Sequence, residues 1–525
     1  MNRETVKQLT LNDEYLRSKL FCRGFLITDD KDIDTAAYPF FGRWTSIGLN
    51  EKYSLYTHPD ATCSVKKVND ELSIGLVGHA YDPVKDILTE AEILEGLASV
   101  YGDEKAFFDR INTLTGVFCI FVADKDKLSF LCDTVGLLCV FYSSKGGHSY
   151  VSTHVNLIGD ILGLTEDPKV TKLKTRKTFK YFGNQLPGNI TPFIEVKRLN
   201  PNHIARTVKG DIEQTRFYWP HSLNLSVEEA CDRLIPLMQK TMEQIADKWT
   251  TPAISLTGGC DSKTTLASAS HIYDRYKYYS YDSQDNERPD AEAAGEICKA
   301  IGQEHIFYKI PYEDSAFENI EGVRAVMLWN CGNVRYNNPN DVRKRIYLDG
   351  INDYDVEIKS WSSEVGRARY TKRYNGRRNF GSKPSPRTCT TFYKFLLTHR
   401  GAVRYCDKQF KEYIEKYFES ANQNPIPWQD QFYWEWHWPS RDGVCLTCEH
   451  MFSDDITVPY NNRKVLELLL AVPEEDRVND RVYTLMRQKL DSRIDAATEA
   501  IVDVNHTGSR AKKEELYYIV NRLLP

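Results

Sequence analysis

Short apolar runs separated by turn residues dominate the first 220 positions of the chain. Five runs have the length and composition of β-strands, at positions 21–28, 71–77, 116–123, 128–132 and 150–153. The polar stretch 124–127 predicts a hairpin, and a second hairpin is expected where 202–208 ends at Lys209 and Gly210. This part of the chain is therefore predicted to be rich in β-structure.

The apolar spacing changes to a helical period just after Pro220. Ser226 and Glu229 form a capping box, and apolar residues then recur at helical spacing through Trp249, with Pro236 expected to kink this helix. Beyond it, predicted strands alternate with predicted helices, the strands at 253–257, 277–281 and 305–310 and the helices at 261–271 and 290–301. This alternation predicts a parallel sheet with helices on its faces. We therefore expect two domains, residues 1–220 and 221–525.

Composition limits the class of protein. The 525 residues carry a formal net charge of −5, which argues against a protein that coats nucleic acid. No apolar run approaches the ~18 residues of a membrane helix, and we see no secretory signal at the start. The 13 cysteines are accordingly expected to be reduced thiols, and the expected location is the cytoplasm.

The segment 257–262, Thr-Gly-Gly-Cys-Asp-Ser, joins the first strand of the alternating unit to its helix. Paired glycines let the backbone approach a ligand closely, and the free amides that open a helix form an anion site. Thr257 and Ser262 add hydroxyl donors, whereas Asp261 suits a phosphate site only with a cation such as Mg²⁺ between them. The segment is neither a Walker A loop nor G-x-G-x-x-G. A turn with glycines for geometry alone is the alternative.

The octad Ser-Leu-Thr-Gly-Gly-Cys-Asp-Ser at 255–262 resembles the pyrophosphate loop of the asparagine synthetase family, whose usual form is S-G-G-x-D-S. The likeness continues through 114–118 and 133–137, which are similar to the family's amidotransferase domain, and through 456–463, which resembles V-P-F-L-D-x-R. It covers roughly residues 21–490.

The resemblance implies a fold and a set of site residues. The fold is α/β with an α+β N-terminal domain, an Ntn-hydrolase-like αββα sandwich followed by a parallel-sheet synthetase domain like the adenine-nucleotide α-hydrolases. The implied cofactors are ATP and Mg²⁺, with Asp261 and Glu364 as catalytic residues and Asp261 as the metal ligand. The implied ATP and pyrophosphate site consists of Leu256, Thr257, Gly258, Gly259, Cys260, Asp261 and Ser262.

Three features depart from the family pattern. Glutamine-using members expose a cysteine at residue 2, where this chain has Asn2, and their N-G-E is replaced around 77–82. Ser363 stands in place of the second Mg²⁺ carboxylate while Glu364 keeps an acidic position, with Asp353, Asp355 and Glu357 as nearby acids. The stretch 502–508 has no counterpart of the family's late lysine, and Lys512 and Lys513 fit a solvated helix face.

The first departure marks the N-terminal domain as a glutaminase relic, as in β-lactam synthetases and lasso-peptide cyclases. Cys22-Arg23-Gly24 would mimic the missing nucleophile only if 21 residues were removed, and the alternative is a small buried residue that opens the first strand.

Two further segments have alternative interpretations. The stretch 366–387 holds eight basic residues and no acidic one, and we favour a solvated loop over a binding surface for an anionic partner. Two of its arginines, Arg367 and Arg369, are expected close enough to the site to touch phosphates. The aromatic run 432–438 is expected to pack a helical core rather than to stack on a ring substrate.

Together these observations predict an ATP-dependent ligase that adenylates a carboxylate and forms an amide without hydrolysing glutamine. Its expected partners are a small-molecule or peptide carboxylate and an amine, without membrane or nucleic acid, and a homodimer is left open. The alternatives are a non-catalytic nucleotide- or partner-binding relic of the same fold and an ammonia-dependent asparagine synthetase.

Overall fold

The computed structural model describes residues 2–176, 179, 185–221, 223–284, 287–334, 339–393, 400–418, 426–498 and 508–523. The strands of this part of the chain are β1 Phe25–Thr28, β2 Thr45–Gly48, β3 Ser54–Thr57, β4 Cys63–Lys67, β5 Leu72–Tyr81, β6 Thr115–Asp124, β7 Lys127–Cys132, β8 Phe141–Ser143, β9 Tyr150–Ser152, β10 Lys197–Arg198, β11 His203–Val208, β12 Asp211–Arg216, β13 Pro252–Ser255, β14 Lys277–Asp282, β15 Ile306–Lys309, β16 Val356–Ile358 and β17 Ile456–Thr457.

The α-helices of the same residues are α1 Arg3–Asn12, α2 Glu14–Lys19, α3 Glu90–Ser99, α4 Glu104–Ile111, α5 Val155–Ile161, α6 Pro168–Lys174, α7 Val227–Lys248, α8 Cys260–Ser268, α9 Arg288–Ile301, α10 Ile320–Asn330, α11 Pro339–Asp349, α12 Arg369–Arg373, α13 Pro386–Phe392, α14 Arg400–Tyr417, α15 Trp428–Phe432, α16 Cys448–His450, α17 Arg463–Leu470, α18 Glu474–Val478, α19 Arg481–Leu490, α20 Arg493–Ala496 and α21 Gly508–Leu523. None of these helices is both long enough and apolar enough to cross a bilayer.

The first twelve strands form two six-stranded antiparallel sheets. Their strand orders are β10-β8-β9-β1-β3-β2 and β12-β11-β7-β6-β5-β4. Alternate side chains of both sheets, such as Ile27 and Phe121, share one buried core between them. Leu26 on the outer face of the first sheet packs with Leu157 of α5, and Ile74 on the outer face of the second packs with Leu94 of α3.

The remaining strands form a parallel sheet in the order β15-β14-β13-β16-β17. Helices cover both faces of this sheet, because the connections between parallel strands place helices against it. Successive side chains of each strand point to opposite faces. Ile254 packs with α7, α8 and α9 on one face, while Ala253 shares a cluster with Leu348 of α11 on the other. The strand order reverses direction between β13 and β16, and in open α/β sheets this reversal leaves a crevice at the carboxyl ends of the two strands.

The chain is thus a mixed α/β protein with antiparallel sheets and a parallel sheet. Strands predicted from apolar runs lie within a few residues of β1, β5, β6, β7, β9 and β11, and the turn 124–127 joins β6 to β7 as predicted. Helix α9 ends at Gly302, which adopts φ 77° in a left-handed cap. The predicted helix with Pro236 inside is α7, which continues from Val227 to Lys248.

The aromatic run forms the start of an unpredicted element. Residues Tyr433–Thr447 form a π-helix directly after α15. The indole rings of Trp434 and Trp436 are fully buried, and their Nε1 atoms donate to the carbonyl oxygens of Thr134 and Gly188. The run therefore packs the core, as expected, and also ties the later half of the chain to the antiparallel sheets.

The interpretation of 366–387 as a solvated loop is only partly correct, since residues 375, 376, 378, 379 and 381–383 are exposed but the rest of the segment is not. Residues Arg369–Arg373 form α12, and the aromatic rings of Tyr370, Tyr374 and Phe380 are buried. Its basic side chains pair with acids of neighbouring helices, including Arg373 with Glu514 and Arg377 with Glu515 on α21. The acids that balance this segment come from distant positions in the chain, so the local sequence gave no sign of the pairing.

Candidate functional site

The glycine turn and the segment after β16 meet at the crevice of the parallel sheet. The turn follows β13 and opens α8, and the other segment leaves the carboxyl end of the adjacent strand. Thr265 of α8 and Ser360 lie 2.7 Å apart through their hydroxyl oxygens. The candidate site therefore lies where the strand order of a parallel sheet creates a ligand crevice.

Hydroxyl groups hold the glycine turn in a defined shape. The hydroxyl oxygens of Thr257 and Ser262 are 2.8 Å apart, and the Gly259 amide donates to Thr257 Oγ1 over 3.2 Å. Gly259 is the N-cap of α8, with no side chain to cap the first amides. A Cβ on Gly259 would lie 3.2 Å from Thr257 Oγ1, so a larger residue would crowd the turn. The open helix start can accept an anion.

The facing segment is a short 3₁₀ turn between two residues with left-handed backbone. Ser363–Arg367 forms the turn, Ser362 precedes it with φ 63°, and Ala368 follows it with φ 47°. Non-glycine residues rarely adopt this conformation, and it is concentrated at functional sites. A Cβ on Gly366 would come within 2.6 Å of the Leu469 Cβ, so the turn is packed tightly against α17.

Asp261 is the residue that joins the two segments. Its Oδ1 accepts a hydrogen bond of 2.7 Å from Ser363 Oγ, and its Oδ2 lies 2.6 Å from Arg367 Nη1. Arg367 also donates from Nε and Nη2 to the two carboxylate oxygens of Asp480, over 2.9 and 2.8 Å. Asp480 itself has φ 53° at the start of α19. Three parts of the chain thus converge on one guanidinium group.

Glu364 is buried close to Asp261. Burial and the negative charge of Asp261 together raise the pKa of the Glu364 carboxyl to about 7, against the opposing positive charges of Arg369 and Arg367. The Glu364 Oε2 atom is buried without a hydrogen-bond partner. A divalent cation bound to this unpartnered oxygen and to Asp261 would stabilise the two neighbouring carboxylates.

The residues present fit an Mg²⁺ ion in part. Asp261 and Glu364 are hard oxygen donors, and the unpartnered oxygen of Glu364 is available for such a cation. Asp261 already uses both oxygens, on Ser363 and on Arg367, so a cation would displace at least one of these contacts. The other nearby acids are engaged elsewhere: Asp353 with Tyr308, Asp355 with two backbone amides, and Glu357 with Lys359.

The other predicted site residues differ in what they offer. The Leu256 side chain is fully buried in the core of the sheet, and its amide donates to the Tyr279 carbonyl, so it positions the turn from below. The Cys260 sulfur lies 3.4 Å from Arg487 Nη1. Gly258 lies close to Asp290. Burial raises the pKa of the Asp290 carboxyl above its usual value, and a hydrogen bond with the Gly258 backbone offsets only part of this increase.

Sequence reasoning missed part of the site. The basic segment drew attention to Arg367 and Arg369, but nothing pointed to Asp480, which lies 113 residues from its partner Arg367. Nothing pointed to Tyr483 either, whose hydroxyl donates to the Ser363 carbonyl over 2.7 Å. The region 502–507 lies outside the described residues, and Lys512 and Lys513 are exposed on α21.

Asn2 and Cys22, the two positions that the family resemblance drew attention to, are both engaged in local contacts. Asn2 caps α1, with its side chain accepting from the Thr5 amide. Cys22 is 2% exposed, its thiol donates to the Met451 carbonyl, and burial raises its pKa to about 11. The amide of Phe21 donates to Asn330 over 2.8 Å, which ties the preceding residues to α10.

No protein-family model matches the sequence, and no curated protein matches it. Among solved structures, part of the chain is similar to the allosteric regulatory enzyme of purine biosynthesis, at 10% identity and a TM-score of 0.24, over 48% of this chain and 57% of that one.

Two further solved structures are similar to this chain. Glutamine phosphoribosylpyrophosphate amidotransferase from B. subtilis, complexed with ADP and GMP, matches at 9% identity and a TM-score of 0.24, over 70% of this chain and 74% of that one. Glutamine-dependent NAD⁺ synthetase from Acinetobacter baumannii, in complex with ADP, matches at 11% identity and a TM-score of 0.20, over 48% and 60%. At these values the similarities carry no argument about function, which rests on the site itself.

Proposed function

We propose that this chain is an ATP-dependent ligase that activates a carboxylate as its acyl adenylate and passes it to an amine. The observation that carries the proposal is the meeting of the glycine turn with the 363–367 turn at the β13–β16 crevice, where Ser363 Oγ lies 2.7 Å from Asp261. An open helix start, two hydroxyl groups and two adjacent carboxylates suit a triphosphate with a divalent cation.

In the proposed reaction, a carboxylate oxygen attacks the α-phosphorus of ATP, and the bond to pyrophosphate breaks. The amine then attacks the acyl carbon and AMP leaves. The amides that open α8 and the hydroxyls of Thr257 and Ser262 would hold the pyrophosphate group. Asp261 and Glu364 would hold Mg²⁺, which when bound neutralises phosphate charge.

The proposed domain division follows the same reasoning. Residues 1–220 would form the Ntn-hydrolase-like sandwich without a nucleophile, and residues 221–525 the synthetase domain that resembles the adenine-nucleotide α-hydrolases. The buried Cys22 thiol, which donates to a carbonyl, supports an amine other than ammonia released from glutamine. A small-molecule or peptide carboxylate is the proposed acid.

The test is exchange of labelled pyrophosphate into ATP with Mg²⁺ and a panel of carboxylates, together with equilibrium binding of ATP. Exchange that requires one carboxylate would support the ligase. Absence of exchange with every carboxylate and absence of ATP binding would reject it. Product formation with free ammonia but not with organic amines would identify an ammonia-dependent synthetase instead.

A second candidate is a protein that binds nucleotide, or a partner, without catalysis. Asp261 is satisfied by Ser363 and Arg367 without a cation, and a serine stands where the resemblance expects a carboxylate. ATP binding that stays free of exchange under all conditions would favour this candidate.

A further inference from the structure

We infer that Arg367 and a divalent cation compete for Asp261, so that the cation binds well only when a nucleotide phosphate replaces Asp261 as the partner of Arg367 Nη1. Arg367 would thereby couple cation binding to nucleotide binding. This inference rests on the proposed function, because it assigns a regulating role to a residue of the same site.

The contacts of Arg367 use two sides of its guanidinium group. Its Nε and Nη2 atoms pair with both oxygens of Asp480, over 2.9 and 2.8 Å, a bidentate arrangement that fixes the guanidinium plane. Its Nη1 atom reaches Asp261, over 2.6 Å. A phosphate oxygen could therefore replace the Asp261 carboxylate on Nη1 while the pair with Asp480 persists.

The neighbouring charges explain why the exchange would be coupled. Asp261 and Asp480 are balanced by Arg367 and Lys372, since Lys372 also pairs with Asp480. A divalent cation arriving alone would meet a carboxylate whose charge is already compensated. Nucleotide arriving alone would place its phosphates near Asp261 and Glu364. When both bind, the Arg367 guanidinium would pair with the phosphates, and the carboxylates of Asp261 and Glu364 would bind the cation.

The backbone supports this role for Arg367. The residue ends the tightly packed 3₁₀ turn, between Gly366, which has no room for a Cβ, and Ala368 at φ 47°. Its guanidinium carbon lies 5.8 Å from the ring centre of Tyr483. Arg367 is thus held in place both at its backbone and at its guanidinium group, so it can exchange Asp261 for a phosphate oxygen without a large movement.

The test measures Mn²⁺ binding to the full chain by electron paramagnetic resonance, with and without a non-hydrolysable ATP analogue. For the unmodified chain we expect the analogue to tighten Mn²⁺ binding about tenfold or more, within the usual range of coupling between sites. For Arg367→Gln we expect Mn²⁺ alone to bind several-fold more tightly, and the analogue to add little. Arg367→Lys, which keeps a positive charge, should bind Mn²⁺ alone as weakly as the unmodified chain.

Arg377→Gln is the matched control, since Arg377 is also ion-paired but contacts Glu515 and Tyr518 on α21. Circular dichroism checks that each variant is folded. Unchanged Mn²⁺ affinity in folded Arg367→Gln, without nucleotide, would overturn the inference. If the analogue fails to bind the unmodified chain, the proposed function fails, and the measurement without nucleotide still decides whether Arg367 competes with the cation.

Discussion

Two turns of this molecule look alike in backbone but differ in what they present. Cys22 lies just before β1, between Phe21 at φ 54° and Arg23 at φ 55°, and the turn 363–367 lies after β16 between two residues of the same conformation. The first turn is sealed, with its thiol 2% exposed and bound to a carbonyl. The second meets carboxylates and an arginine in a crevice. Unusual backbone alone therefore does not identify a working site.

The largest expected difference between the two turns is in catalysis. Asp261→Asn should reduce carboxylate-dependent pyrophosphate exchange by about 100-fold or more, since removal of one group that stabilises transition-state charge typically costs ~10²–10³. Cys22→Ala should leave the exchange rate within about twofold. Equal losses of exchange rate in Asp261→Asn and Cys22→Ala, measured under the same conditions, would contradict the proposed difference between the two turns.

A buried charge beside the second turn should dominate stability. Glu357 is fully buried and pairs with Lys359 over 2.6 Å. Glu357→Gln should lower the free energy of unfolding by about 3–5 kcal/mol, because it leaves the Lys359 charge without its partner. Denaturant unfolding measures this change, with Asp109→Asn at the exposed Lys105 pair as a control expected to change stability far less, because solvent screens that pair. A loss as small as the control's would show that Lys359 finds other partners.

The pH dependence of stability should reveal Glu364. Its pKa of about 7 in the folded chain lies above the ordinary value, so the folded state holds the proton more tightly. The stabilising contribution of the protonated carboxyl is complete below about pH 4.5 and is lost as the pH rises through 7. The stability advantage of Glu364→Gln should grow across this interval and stay constant above it, at no more than ~3 kcal/mol.

Thermal unfolding from pH 5 to 8.5, without divalent cation, measures the Glu364 effect. Glu71→Gln, at an exposed acid paired with Lys125, is the control and should show no such trend. A stability advantage of Glu364→Gln that is the same at all pH values would contradict the raised pKa of the Glu364 carboxyl.

The smallest expected effect is on thiol reactivity. With a pKa of about 11 and nearly complete burial, Cys22 should be alkylated far more slowly than a free thiol at pH 8. Cys63 has a similarly raised pKa but is only partly buried, so it should react before Cys22 in the native chain. Mass spectrometry of the labelled peptides gives the order, and rapid labelling of Cys22 would show that the first turn opens.

The sequence predicted those parts of the fold that depend on neighbours in the chain. Long alternating strands such as β6 and the glycine turn before α8 carry their own signals in apolar spacing and turn residues. The strands β16 and β17 have three and two residues, too few for a pattern, although β16 carries half of the site. Their existence follows from the parallel ladder with β13, which no local rule predicts.

Charge pairing was the least predictable part of the site. Arg367 could be placed near it from the basic segment, but its two carboxylate partners lie more than 100 residues away on either side. The π-helix Tyr433–Thr447 was likewise invisible, since its aromatic residues fit an ordinary buried helix equally well. In both cases tertiary contacts, not intrinsic preference, decide the outcome.

The two asparagines that follow β17 set an order for assembly during synthesis. Asn461 donates to the Gly116 carbonyl and to Asp133, and Asn462 donates to the Thr113 carbonyl, all within the antiparallel half. These partners leave the ribosome hundreds of residues before the asparagines do. At a synthesis rate of ~5–20 residues per second, the antiparallel half is made on the order of tens of seconds before the asparagines that complete its buried hydrogen bonds. A nascent chain halted before residue 461 would lack the asparagine side chains that pair with these buried groups of the antiparallel half.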